Sequence, residues 1–347
     1  MKQLLALVFG LCLATAGASA EQLTPVTINY GVAQFIVSTA AVFSIPRAMG
    51  FWQQEGLDVT AQGADGAGPA LQQLIAGRVS MTLTGLPSAM ELINKGAPIK
   101  SVASAYADNV FYPVVLAGSP IKTIQDFKDK TIGVTALAST NTIWMKAIAR
   151  TYGLNPDRDL RMVGVGSGAA PLQALMSHRL DALQLFEAEY DADEGPNVQF
   201  RRFNDLPVLK DLSFVQGLMV NKADIQSHPK LVVGLLRGIA KAAVWASAHP
   251  EDAVRLHWKI FPLTKPQGQD EAAAVAHAAL VLKKQLDHYT RPFGAADLAK
   301  VIATRDVLSD FGGLTKKLEP DDYYTAAFIA EANDFDAAAI AALPPHE

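Results

Sequence analysis

Cysteine is almost absent. One residue, Cys12, occurs in 347. A single thiol excludes a disulfide framework and a cysteine-rich metal site. A basic excess is also missing. Lys and Arg total 30 against 34 Asp and Glu, for a net charge of -4. That balance argues against a nucleic-acid partner, which usually meets a basic face. The seven histidines (His178, His228, His249, His257, His277, His288 and His346) form no H-E-x-x-H pattern. There is no G-x-S-x-G elbow and no phosphate-binding P-loop. No apolar run reads as membrane-spanning after the first twenty residues. What is present is an ordinary globular composition, half hydrophobic and long enough for about two domains.

The first twenty residues read as an export leader. Met1-Lys2 supplies the positive end, Leu4 to Leu13 the apolar stretch, and Ala18-Ser19-Ala20 an A-x-A cleavage site. The mature chain then starts at Glu21, carries 29 basic and 34 acidic residues, and has no cysteine. Lipidation at Cys12 fits poorly, because bulky Phe9-Gly10-Leu11 precedes it. The expected location is the periplasm.

Strands and helices then alternate. Strands are expected at Val26–Tyr30, Leu57–Thr60, Ser80–Thr84, Ile99–Ser104, Thr131–Val134, Leu160–Val165 and Ala182–Phe186, with helices between them. This spacing implies an α/β fold with two lobes, each a mainly parallel sheet flanked by helices. After about Asp224 strands are expected to stop. Helices should cover Pro229–Trp245, Glu251–Trp258, Gln269–Tyr289, Ala295–Ser309 and Asp321–Phe335. Chain crossings between lobes are expected near Phe111–Gly118 and Ser213–Val220. Lobe one is then 21–115 plus 218–347, and lobe two is 116–217.

Open α/β sheets bind ligands beyond the carboxyl ends of their strands. That rule selects six loops: Gln34-Phe35, Asp65–Gly68, Thr84–Ser88, Thr135–Thr140, Gly166–Ala169 and Phe186–Tyr190. Ala138-Ser139-Thr140-Asn141 places hydroxyls and free N–H groups at a helix start, which suits an anion and equally suits a plain N-cap. Gly164-Val165-Gly166-Ser167-Gly168 fails the dinucleotide pattern, and its glycines suit a turn or close backbone approach. Tyr112 precedes Pro113 in extended backbone, where its ring can face a cleft. Phe35, Tyr106, Phe111 and Trp144 are core candidates by default. Glu187 reads either as a ligand acceptor or as a solvated acid.

Several segments, in order, resemble the periplasmic substrate-binding proteins of ABC importers, in the nitrate/taurine/thiamine-precursor group. They are Gly50-Phe51-Trp52-Gln53-Gln54-Glu55-Gly56-Leu57-Asp58-Val59, Ala70–Ser80, Ile124–Val134, His228-Pro229, Trp245–Pro250 and Tyr323-Tyr324. The resemblance covers nearly the whole mature chain. Ser80 stands where Asp is common, and Asp129 where Gly is usual. Phe186-Glu187-Ala188 occupies the place of a Trp-Glu-Pro. It implies a type II two-lobed fold closing on a small molecule, with delivery to permease subunits at the inner membrane and no enzymatic turnover. The ligand set expected is Gln34, Phe35, Gly66, Thr84, Ser88, Tyr112, Ser139, Thr140, Ser167, Phe186 and Glu187. The expected ligand is a small organic anion, a sulfonate or aromatic carboxylate, with its charge at Ser139 and its body on Phe35, Tyr112 and Phe186. The alternatives are a thiamine-precursor pyrimidine or other heterocycle accepted by Glu187, and a secreted enzyme on the same scaffold. Pyrimidine synthases of the yeast type share this fold but rely on His and Cys chemistry. No cofactor, no metal and a monomer are expected.

Overall fold

The computed structural model describes residues 22–212 and 216–346. The expected leader lies outside them. Eleven strands are described. They are β1 (Thr24–Tyr30), β2 (Leu57–Gly63), β3 (Met81–Gly85), β4 (Ile99–Tyr106), β5 (Phe111–Leu116), β6 (Lys130–Val134), β7 (Leu160–Gly164), β8 (Ala182–Phe186), β9 (Phe200–Arg202), β10 (Gln216–Asn221) and β11 (Tyr289–Gly294). They form two sheets, of order β11-β4-β10-β3-β1-β2 and β7-β6-β8-β5-β9.

The two-lobed α/β architecture matches the sequence reading, and the sheets are mixed. In the first, β1 runs parallel to β2 and β3, whereas β10 is antiparallel to β3 and β4. In the second, β6 is parallel to β7 and β8, and β5 is antiparallel to β8 and β9. β10, the strand that returns from the second sheet, enters between β3 and β4 and must run against them. Strand faces follow side-chain alternation at the edge. In β2, Leu57 and Val59 point inward while Asp58 and Thr60 point out. Central β3 and β8 are buried throughout.

The chain leaves the first sheet after Tyr106 and enters the second at Phe111. Phe111–Leu116, expected as a crossing, is therefore a strand of the second lobe. The other expected crossing, Ser213–Val220, is described from Gln216 onward, where it is β10 of the first sheet.

The helices that position the cleft are α1 (Ala67–Ile75), α2 (Leu86–Asn94), α3 (Thr140–Thr151), α4 (Ala169–Met176) and α5 (Glu187–Asp193). The outer helices are α6 (Pro229–Ala248), α7 (Pro250–Ile260), α8 (Glu271–Asp287) and α9 (Leu298–Asp310). Proline at the first turn starts α6 and α7, where its missing N–H costs nothing. By length and composition α6 is apolar enough to cross a membrane, contrary to the sequence reading, yet 61% of that window is buried inside the protein. A Cβ on its Gly238 would overlap the Trp52 ring, whose indole N–H donates to the Leu235 carbonyl at 3.1 Å.

Two C-terminal expectations change. Strands do not stop after Asp224. Tyr289–Gly294 pairs with β4 at the sheet edge, a place where its Pro292 is tolerated. The single helix expected over Asp321–Phe335 breaks into Pro320–Tyr323 and Ile329–Ala332. Tyr324 forms a β-bridge to Ser101 between them, and the Thr325 N–H donates to the Ser101 carbonyl at 2.9 Å.

Candidate functional site

The five cleft helices begin at or shortly after the carboxyl ends of strands. These are α1 after β2, α2 after β3, α3 after β6, α4 after β7 and α5 after β8. The first two belong to lobe one and the others to lobe two, and the starts of α1 and α2 meet that of α3. Ser88 Oγ lies 3.3 Å from Thr140 Oγ1 across the cleft. The lobes are in contact at glycines. A Cβ on Gly66 would sit 3.2 Å from Ser139 Oγ, and one on Gly168 3.0 Å from Gln34 Oε1. A Cβ on Gly85 would overlap Thr140, at 1.4 Å from its Oγ1.

Between these contacts lies a cavity of about 30 Å³, room for a water or two. A solute of several heavy atoms therefore enters only when the lobes part. Lobe one contributes Tyr30, Thr84 and Gln216 to the wall, and lobe two Phe111, Ser139, Phe186 and Glu189. Four of the polar atoms on this wall are buried and lack a hydrogen-bond partner. They are Thr84 Oγ1, Ser139 Oγ, Gln216 Oε1 and Glu189 Oε2. Buried polar groups are normally paired, so four orphans at one cavity mark a place shaped for a polar guest.

Ser139 is the N-cap residue of α3, but its side chain makes no capping bond. Its Oγ is instead buried at the cavity. Asn141, two residues on, is fully engaged. Its Nδ2 donates to Thr135 Oγ1 at 2.9 Å and to the Gln184 carbonyl at 2.8 Å, which fixes the start of α3. Burial pushes the Tyr30 phenol up, and Gln216 hydrogen-bonds to it.

Glu189 is the acid of the site. Burial pushes its carboxyl up to about 8, with nearby Asp193 adding to the rise. Backbone hydrogen bonds from Gly168 and Phe186 only partly oppose this. The left-handed backbone at Gly168, with φ +80°, turns the chain into α4 beside that carboxyl.

The expected residues divide into four groups. Thr84, Ser139, Thr140 and Phe186 line the cavity. Gly66, Ser88 and Gln34 lie at the contacts between the lobes. Ser167 is half-buried in the loop before α4 and is not part of the cavity wall. Phe35, Tyr112 and Glu187 point elsewhere. The Phe35 ring stacks on Phe261 at 4.5 Å and edges Phe43 at 4.9 Å, inside lobe one. Its carbonyl accepts from buried His257 Nε2 at 2.9 Å. Tyr112 packs on Tyr190, and its hydroxyl accepts from Arg202 Nη1 at 3.0 Å.

Glu187 belongs to a charge network rather than to the cavity. Lys284 Nζ reaches Glu187 Oε1 and Asp191 Oδ2, both at 2.9 Å, and His288 Nε2 lies 3.2 Å from Glu187 Oε2. Arg202 holds Asp191 at 2.7 Å and Glu194 at 2.6 Å. Burial would push Glu187 up, but the bonds to His288 and Lys284 outweigh it and hold the carboxyl at about 2. The same bond pushes His288 up. This network ties α5 of lobe two to α8 and the loop after it.

Sequence reasoning missed Tyr30, Gln216 and Glu189 as cavity residues. Tyr30 ends β1, and the loop selected there began at Gln34. Gln216 opens β10, whose place beside β3 depends on long-range pairing. Glu189 lay inside a selected loop, where the helical turn from Phe186 carries it, and not Glu187, to the cleft.

A model of the NMT1/THI5-like family matches residues 40–253. A Saccharomyces cerevisiae protein named 4-amino-5-hydroxymethyl-2-methylpyrimidine phosphate synthase is 25% identical over 64% of this chain and 66% of its own length. A Bordetella bronchiseptica structure superposes with TM-score 0.74 at 21% identity, covering 89% of this chain and 97% of that one. The alkanesulfonate-binding protein of Xanthomonas axonopodis pv. citri, solved with MOPS, superposes with TM-score 0.65 at 14% identity, covering 87% and 98%. The fold is that of the periplasmic binding proteins.

Proposed function

Because the chain belongs to the NMT1/THI5-like family, we propose that it is the solute-binding component of an ABC importer. It is exported to the periplasm by a cleavable leader, works as a monomer and delivers its solute to permease subunits. One observation carries the reading. Four buried polar atoms without partners, two from each lobe, surround a single cavity at the carboxyl ends of the strands. A solute that pairs with them joins the lobes, and its differential affinity for the closed form drives closure.

The solute is a small organic anion. The start of α3 offers a dipole and backbone donors, and Ser139 Oγ is free of capping duty beside them. Phe111 and Phe186, with ring centroids 5.5 Å apart, present the apolar side. Turnover has little support at this cavity. Among the described residues around it there is no His, Cys or Lys to exchange a proton with Glu189.

A second reading has its own observation. Gln216 Oε1 and Glu189 Oε2 are both acceptors when the acid is ionised. They would suit a heterocycle bearing N–H donors. A thermal-shift screen of the mature chain against sulfonates, aromatic carboxylates, nitrate and aminopyrimidines separates the two. A solute at 100 times its Kd adds about 2.7 kcal/mol of stability. Shifts confined to anions are expected. Shifts confined to heterocycles would reverse the order of the readings, and chemical conversion of a bound solute would defeat both.

A further inference from the structure

Glu189 faces two spaces. One is the cleft cavity. The other is a pocket of about 70 Å³ behind it, which Glu189 shares with Asp193, one helical turn further along α5. The cover of this pocket comes largely from lobe one and its helices. Ile36, Val37 and Ser38 lie over it from the loop after β1, and Val281 from α8. Ser38 is fully buried, and its Oγ has no hydrogen-bond partner.

Among the described residues, the surroundings offer these two acids no cation. Around Glu189 stand Asp193, the phenols of Tyr30 and Tyr190, and the backbone of Gly168 and Phe186. The loop after β1 brings only apolar side chains and Ser38 to the pocket. On α8, His277 Nε2 meets the Ala192 carbonyl at 3.2 Å, and Lys284 is engaged by Glu187 and Asp191 on the other face of α5. Glu189 Oε2 is thus buried without a partner, and Asp193 is half-buried, with only the backbone N–H groups of Gly168 and Phe186 to offset the cost at Glu189. Burial pushes Asp193 up to about 6, below Glu189. Parting the lobes would lift Ile36–Ser38 away and return both groups to water, where carboxylates ionise near 4.

Resting on the receptor reading above, we infer that closing the lobes takes up protons at Glu189 and Asp193, so that acid favours the closed form and alkali opens it. An ionised Glu189 at the cavity would repel an anionic solute, whereas the neutral acid can donate to it. Capture of an anion and uptake of a proton then go together. Each proton taken up on closing makes the closed-to-open ratio fall by up to about tenfold per pH unit between the open-state and the closed-state pKa, and the ratio levels off above the latter.

The test uses the whole protein without solute. Small-angle X-ray scattering from pH 5 to pH 9 reads the balance of closed and open forms through the radius of gyration. The wild type should expand as pH rises from 5 to about 8 and change little above that. Glu189→Gln together with Asp193→Asn should remove that response. Asp193→Asn alone should leave the part due to Glu189, with circular dichroism confirming the fold at each pH. A wild-type radius that does not change with pH overturns the inference, and so does a response that survives in the double variant. Either result leaves the receptor reading standing, whereas silence across the solute panel would count against that reading and not against the scattering response.

Discussion

Gly85 offers the most direct mechanical test of closure. Its φ of -66° and ψ of 126° suit any L-residue, so Gly85→Ala should not disturb lobe one. In the closed form, however, the new methyl would lie 1.4 Å from Thr140 Oγ1, 2.4 Å from its Cβ and 3.0 Å from its Cγ2. Rotating the threonine side chain moves the hydroxyl but not the Cβ. That carbon is about 1 Å too close for an ordinary contact, so the helix start must shift or the lobes must stop short. Overpacking of this kind costs about 1–3 kcal/mol, a loss of roughly 5- to 150-fold in affinity if all of it opposes closure. Calorimetric titration with the best solute from the thermal screen reads the affinity, and solution scattering reads the shape. Adding Thr140→Gly to Gly85→Ala removes the obstructing carbon and should restore both. Unchanged affinity together with an unchanged closed profile in Gly85→Ala would refute the closure argument.

Other changes separate local roles. Ser139→Ala should weaken an anionic solute by about 1–2 kcal/mol and leave the melting temperature unchanged, since the side chain caps nothing; a fall in melting temperature without loss of affinity would return Ser139 to a structural role. Glu187→Gln should lower stability near neutral pH by about 1–3 kcal/mol, measured by urea unfolding. The gap should narrow as pH falls from about 4.5 toward 2, where the native carboxylate protonates, and again as pH rises past the raised pKa of His288, where the imidazole loses its charge. Gly238→Ala would set a methyl 2.2 Å from Trp52 Cδ1 and should cost about 1–3 kcal/mol of stability with little effect on solute affinity.

Local pattern carried most of the fold. Strands β1 to β4 and β6 to β8 and the starts of α1, α3 and α6 follow from apolar alternation, proline at first turns and glycine-bounded loops, all of which act over a few residues. β11 was hidden because Arg291, Pro292 and Gly294 look like a loop, and only the exposed edge of β4 makes them a strand. The mixed sheets were hidden for a related reason, since strand direction depends on where the chain re-enters and not on composition. At the site, the loop rule found Thr84, Ser139, Thr140 and Phe186, because strand ends are legible in sequence. It could not tell Glu187 from Glu189. Two residues apart on a short helix, one turns to Lys284 and His288 while the other turns to the cleft. Phe35 and Tyr112 look available in sequence, but Phe261 and Arg202, which occupy them, come from distant segments.

The central claim is that a solute binds between the lobes and leaves unchanged. A crystal structure with the strongest solute from the thermal screen tests it most directly, with mass spectrometry of that solute before and after incubation. The account expects an unaltered molecule in the cavity, touching Thr84 from one lobe and Ser139 from the other, with Glu189 within hydrogen-bonding distance. A solute seated instead beside Glu187 and His288, or one recovered as a different compound, would contradict it.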